Sequence, residues 1–388
     1  MDNNAFGKLV RASREKRGWK QEELADRWGF TREYISQIEC GKRKLDRPEQ
    51  VARLANILGI SEEQLIHVGK GTSPRRFFVQ RPSGSDELLL QALLEPARAT
   101  LKLSWLIWQG NGMLMDFTQN LQNLEHRLKD VLGLYRGQFY RPAMHILASV
   151  HEMLGRQAVE GAATQEATAH FQRMYDIAEE LCDTDLLTLA MIHLAAMFRR
   201  NGRFEASFRR LEAAEKGARG VSRWLRGLLS KTYARNYYVY GDEQGFLRSI
   251  DRAADIAEDT DVTIDTTING FDKIGVLEER AQGYTMFWQP DKALAIYQET
   301  DKMRPFRPLR AQSASHIAKA QAYCFGGDLQ IGIEHALSGL HMAEELRSNR
   351  YVLRLQQMSD RLSDKPIGKE RVMQDLRSEI LTTWKHLS

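Results

Sequence analysis

Apolar residues recur every three or four positions along most of the chain, and strand-like alternation is scarce. That pattern predicts helices almost throughout. Phe6, Leu9, Val10 and Ser13 carry a first helix that Gly18 stops. Leu24, Ala25 and Trp28 mark a second, and Ile35 and Ile38 a third that begins after Thr31. Pro48 opens a fourth with Val51, Leu54, Ala55 and Leu58, and Ser61 with Gln64 makes a capping box for a short fifth helix ending near Ile66. Gly69 to Ser85 is rich in Gly, Ser and Pro and reads as a linker, with Phe77 and Phe78 docking on one of the domains beside it. From Asp86 onward the helical pattern runs almost unbroken to a last segment, Lys369–Leu387, with Val372, Leu376, Ile380 and Trp384 on one face. The expected fold is all-α: a five-helix bundle over 1–68, a linker over 69–85 and a helical body over 86–388.

Within the bundle, Gly29 suits the left-handed residue of a sharp turn between helices. Thr31 is a good N-cap, and Ala25 is small enough to let the next helix cross closely. Two helices crossing steeply through such a turn make a helix-turn-helix, whose second helix is free to enter the major groove of DNA. Charge supports this reading. Residues 1–81 hold 17 Lys/Arg against 11 Asp/Glu, whereas the rest of the chain holds 38 against 40. A basic head on a near-neutral body suits a head that touches phosphates. Cys40, Cys182 and Cys324 are odd in number and far apart, which argues against disulfides or a zinc site. No apolar run approaches the roughly 20 residues of a membrane helix, and the polar first turn is unlike a signal peptide. The expectation is a cytoplasmic protein that needs no cofactor and no metal.

Phe6-Gly7, Arg11, Arg14, Gln21, Leu24-Ala25, Gly29, Thr31, Ile35-Ser36, Glu39 and Gly41-Lys42 together resemble the phage-repressor-type helix-turn-helix of the Xre family over residues 5–66. The loop Lys44–Pro48 is about one residue longer than in that pattern. The resemblance implies that Arg32, Glu33 and Gln37 face base edges, chemistry that suits guanine, cytosine and adenine respectively. It places Gln21, Thr31, Lys42, Arg43 and Lys44 on phosphates, and makes Arg14 and Glu39 a structural ion pair. One head reads a half-site, so a homodimer on double-stranded DNA is expected.

The body carries a loose repeat. Leu194-Ala195, Phe198, Gly202-Arg203-Phe204, Ser207, Leu211 and Ala214 resemble the tetratricopeptide pattern, as do Ala320, Tyr323, Gly327-Asp328-Leu329 and Gly332. Turn positions fall near 137, 202, 241, 289 and 327, so the later spacings are about 40 rather than the standard 34. Stacked pairs of this kind form a superhelix with a concave groove. In that register the groove presents His193, Arg199, Arg200, Lys231, Arg235 and Tyr238 on a basic half, and Glu278, Glu279, Gln282 and Gln321 on an acidic or amide half. Arg forks there would take a peptide carboxylate. A repressor-type head on such a body resembles the peptide-responsive quorum-sensing regulators called RRNPP proteins, which implies a short signalling peptide as ligand. The alternatives are control by a protein partner or small metabolite, and a scaffold that does not bind DNA. An enzyme is not expected, because no phosphate-binding loop, nucleophile elbow or metal-ligand spacing is visible.

Overall fold

The computed structural model describes residues 3–43, 45, 48–60, 64, 84–109, 115–134, 137–217, 220–258, 271–303 and 307–387. Regular structure there is helical, as the periodicity predicts. The head holds α1 (Asn3–Lys16), α2 (Gln21–Trp28), α3 (Arg32–Glu39) and α4 (Pro48–Leu58). Gly29 takes φ 78° and ends α2, and Thr31 Oγ1 accepts the Tyr34 amide at 3.3 Å to start α3. The two caps set the sharp turn that lets Leu24, Ala25, Ile35 and Ile38 bury together. Gly7 allows α1 to lie against the end of α3, since a Cβ there would stand 2.3 Å from the Ile38 carbonyl oxygen. The expected fifth helix and nearly all of the linker, including Phe77 and Phe78, lie outside the described residues.

Then follow α5 (Gly84–Gln109), α6 (Met115–Leu134), α7 (Tyr140–Glu160), α8 (Thr164–Leu181), α9 (Thr184–Arg200), α10 (Phe204–Lys216), α11 (Arg223–Tyr240) and α12 (Glu243–Glu258). The chain continues with α13 (Lys273–Met286), α14 (Pro290–Met303), α15 (Leu309–Gly326), α16 (Leu329–Glu345), α17 (Asn349–Leu362) and α18 (Arg371–Leu387). None of the described helices is long and apolar enough to cross a membrane.

Two compact units divide the chain. One comprises Met1–Leu101, Asn120–Val150 and Asp176–Asp183, and the other comprises Lys102–Gln119, His151–Tyr175 and Thr184–Ser388. The first therefore joins the head to the start of α7 and the end of α8. Arg141 there donates to the Leu181 carbonyl at 2.9 Å and lies 3.4 Å from that of Gly29. Arg53, 6% exposed, donates to the Trp28 carbonyl and stacks on the Tyr140 ring at 4.5 Å.

In the second unit, α9/α10, α11/α12, α13/α14 and α15/α16 are antiparallel pairs whose turns fall at the predicted 202, 241, 289 and 327. The leading helices α9, α11, α13, α15 and α17 also touch in succession and make one continuous layer. Close approach between pairs depends on small residues. A Cβ on Gly283 of α13 would stand 2.2 Å from the Phe246 ring of α12. The last helix packs on α16 and α17 through Met373, Leu376 and Ile380, with Trp384 at the edge. Val372, expected on that face, is 46% exposed. Helix α18 begins at Arg371 and turns Met373 inward in its place.

Candidate functional sites in the head and in the helical repeats

The head keeps two sets of polar residues apart. Arg14 donates to Glu39 through Nε at 2.6 Å and Nη2 at 3.0 Å, and through Nη1 to the Trp19 carbonyl at 2.6 Å. Both side chains are almost fully buried, so the expected pair ties α1 to α3 from inside. Gln21 is drawn into it, donating to Glu39 Oε2 at 2.8 Å. One of its two amide hydrogens is thereby taken up by the fold. Thr31 accepts in the N-cap through its hydroxyl oxygen, which leaves its hydrogen to donate.

Arg32, Glu33 and Gln37 project from α3 into solvent and form one exposed face. Arg32 has only Glu22 nearby, at 3.7 Å, with both side chains mostly exposed. Lys42 and Arg43 are exposed just beyond α3, where both amides donate to the Gln37 carbonyl and fold the loop back. Lys44 lies outside the described residues. Tyr34 is buried, stacked on Phe30 at 4.4 Å with Arg43 over its ring. Burial raises the Tyr34 pKa.

The second unit encloses a cavity of about 580 Å³, within the range of roughly 300–1,000 Å³ usual for small-ligand sites. It is lined by Arg199, Arg200, Lys231, Arg235, Tyr238, Glu278, Glu279, Gln282 and Gln321, brought together from α9, α11, α13 and α15. His193 is the exception. Two turns before Arg200 on α9, it stacks on Phe171 at 4.5 Å and meets Glu152 at 3.3 Å. Burial lowers its pKa, whereas Arg156 and His193 overcome the burial of Glu152 and bring that carboxyl to about 2.

The expected division into a basic and an acidic half is not what the cavity shows. Glu279 accepts from Arg235 Nε at 2.7 Å and from the Tyr238 hydroxyl at 2.8 Å, so the acid meets the base directly. Gln282 donates to Gln321 at 2.8 Å. Helix α17, which carries no repeat signature, adds Arg350, Arg354 and Arg361. The lining then holds seven Lys/Arg against Asp272, Glu278 and Glu279. Like charges held together in a poorly solvated space raise one another's free energy. Burial brings Lys231 down to about 8 and Arg199 down to about 10. Arg200, crowded by Arg350 as well, is brought down to about 9. Burial lowers Arg235 too, but Glu279 outweighs it and the pKa rises.

Two histidine contacts were hidden from the sequence. His151 lies 3.1 Å from His170, and His335 lies 3.0 Å from His316, each nitrogen to nitrogen across a helical hairpin.

Residues 5–67 match the helix-turn-helix domain family. The chain is 36% identical over 67 residues to the SPbeta prophage-derived uncharacterized HTH-type transcriptional regulator YonR of Bacillus subtilis (strain 168). That stretch is 17% of this chain and spans 58% of the relative's length. Two solved structures overlap most of the chain with weak scores. PlcR of Bacillus thuringiensis, in complex with the peptide PapR7 and DNA, aligns at TM-score 0.30 and 11% identity over 86% of this chain and 99% of that one. The P58(IPK) TPR domain aligns at TM-score 0.22 and 14% identity, over 87% and 88%. Likenesses so slight carry no argument about fold or ligand, and the pairing of helices described above stands on its own geometry. The head of this all-α chain is a helix-turn-helix domain.

Proposed function

We propose that this protein is a sequence-specific DNA-binding transcription regulator whose helical-repeat unit binds a regulatory ligand, and that the ligand is a short peptide. The observation that carries the DNA part is the exposed trio Arg32, Glu33 and Gln37 on a helix whose opposite side is fully buried. A helix held that firmly can present base-reading groups without ordering them anew on each encounter. Two heads on a two-fold site supply the length of sequence that one head lacks, so the active form is a homodimer.

The ligand part rests on the cavity. Its walls offer guanidinium forks beside the amides of Gln282 and Gln321 and a carboxylate at Glu278. Those groups suit a peptide, which presents a terminal carboxylate, a chain of backbone amides and a terminal amine. A ligand alters DNA binding only through unequal affinity for two conformations of the body.

The test is protection of genomic DNA fragments by the purified full chain. Arg32→Ala or Gln37→Ala should each cost about 1–3 kcal/mol at the protected site and relax preference at particular base pairs. An unchanged footprint in both variants rejects the assignment of α3. A footprint that ignores every candidate peptide while responding to small anionic metabolites leaves the DNA part standing and replaces the peptide. The seven-to-three excess of cations in the lining is what favours that second reading.

A further inference from the structure

Glu160 ends α7 at one edge of the cavity, 1% exposed, and holds residues close to 190 positions later in the chain. Its Oε1 accepts from Arg350 Nη1 at 2.6 Å, and its Oε2 accepts from the Ser348 hydroxyl and lies 3.1 Å from Arg310 Nη1. Arg310 in turn lies over the Trp108 ring at 4.1 Å. The carboxylate therefore joins the earliest helix of this unit that borders the cavity to the last. Burial alone would raise its pKa, but Arg350 and Arg310 overcome that and keep it ionised.

The same guanidinium faces both ways. Arg350 pairs with Glu160 and also lines the cavity beside Arg199 and Arg200. Its Nε is buried and makes no hydrogen bond. An anion entering the cavity meets Arg350 on its lining together with Arg200 and Arg199, the last of which already donates to Asn236 Oδ1 at 2.9 Å. It then shares one guanidinium with Glu160, and two anions on one cation repel each other in a poorly solvated space.

We propose that Glu160 is a latch carboxylate, occupying from within the place of a ligand's anionic group, and that a carboxylate or phosphate arriving in the cavity displaces it from Arg350 and frees α17 from the end of α7. The inference rests on the cavity being a ligand site, as argued above, and adds how that site is regulated. Linkage makes the effect reciprocal: whatever Glu160 costs the anion in affinity, the anion takes from the clasp. The ligand needs a carboxylate or phosphate at the end that meets Arg350, whatever its remainder.

The experiment is calorimetric titration of the full chain with acetate and, separately, inorganic phosphate at constant ionic strength, the two arms telling carboxylate from phosphate. At least one anion should bind saturably, and Glu160→Gln should bind it about tenfold or more tightly, because the competing charge is gone. Ser348→Ala keeps the charge and loosens its hold, so it should shift affinity in the same direction by about two- to threefold, and it carries the test if E160Q does not fold. Hydrogen exchange should show the bound anion speeding amide exchange at the start of α17 in the wild type and having no such effect in E160Q. Equal or weaker binding by the variants, absence of saturable binding by either anion, or slower exchange of α17 in the wild type overturns the latch. None of these readouts involves DNA or a peptide. Failure here therefore leaves the reading of DNA by α3 untouched, and a failed footprint leaves the latch untouched.

Discussion

Arginine is buried in both parts of the molecule, to opposite effect. In the head, Arg14 faces a carboxylate and a carbonyl, and Arg53 faces the Trp28 carbonyl, so each buried cation has an acceptor of its own. Around the cavity, burial first and neighbouring cations second lower the pKa values of Arg199, Arg200 and Lys231, whereas Glu160 outweighs the burial of Arg350. Each of those two buried cations of the head is met from within the fold, and the recognition groups sit outside on a rigid support. Several of the cavity's cations also have partners, Arg199 on Asn236 and Arg350 on Glu160, but in its lining cations outnumber carboxylates seven to three. One region works by presenting a finished surface, the other by leaving a charge imbalance for something else to neutralise.

The largest expected effect breaks the first half of that contrast. Arg14→Ala strands the Glu39 carboxylate with no cation to meet it, and losing one partner of a buried pair costs about 3–5 kcal/mol. Denaturant unfolding of the full chain, followed by the fluorescence of the buried Trp28, should show the loss. The exposed substitution Arg32→Ala should change the same curve by no more than about 0.5 kcal/mol. A comparable loss in R32A would mean that the recognition face is part of the core.

How legible each region was in the sequence follows the same division. The head's faces could be read because Gly29 and Thr31 fix where α2 stops and α3 starts, and phase then decides which side chains point out. What escaped were arginines whose acceptors are backbone carbonyls, Arg53 and Arg141, since a carbonyl leaves no trace in side-chain pattern. In the repeats, glycine turns at 202, 241 and 327 set the register, and nine of the ten residues assigned to the groove from that register line the cavity. His193 was lost because it lies two turns before Arg200 along the same helix, where Phe171 and Glu152 pack against it instead of the cavity. The hairpin α7/α8 and the step into α17 turn instead on Ala162 at φ 60° and Arg347 at φ 49°, residues that do not announce a left-handed turn. Without those two turns, neither Glu160 nor the arginines of α17 could be placed.

A smaller effect sharpens the second half of the contrast. Lys231 titrates near 8 in the folded chain, below the ordinary lysine value near 10.4, because burial disfavours its charge. An anion bound beside it restores the charge. Below pH 8 the lysine is already protonated and affinity should be level with pH. Above pH 8 a proton must be taken up on binding, and affinity should fall by at most about tenfold per pH unit. Acetate suits the titration because its own charge is constant there. Lys231→Met should flatten the first unit of that fall, and a wild-type profile level to pH 9.5 would remove Lys231 from the site.

The smallest effect has the opposite sign to the first. Arg200 sits among Arg350, Arg199 and Arg235 with its pKa brought down to about 9, so at neutral pH its charge is held against the preference of its surroundings. A folded pKa below the unfolded one means that the charged group opposes folding in full at pH 7, and that the opposition shrinks above the folded value and is gone only above the unfolded one. Arg200→Gln removes that opposition. Arg200 lines the cavity near its open side, and much of the residue still meets solvent, which screens most of the repulsion, so the gain should be no more than about 1 kcal/mol, visible as a small rise in Tm. The same variant should bind acetate more weakly, because the repulsion that destabilises the empty cavity is the attraction that fills it. Lower stability together with unchanged anion affinity would make Arg200 a structural cation of the same kind as Arg14, and the contrast between the two regions would not hold.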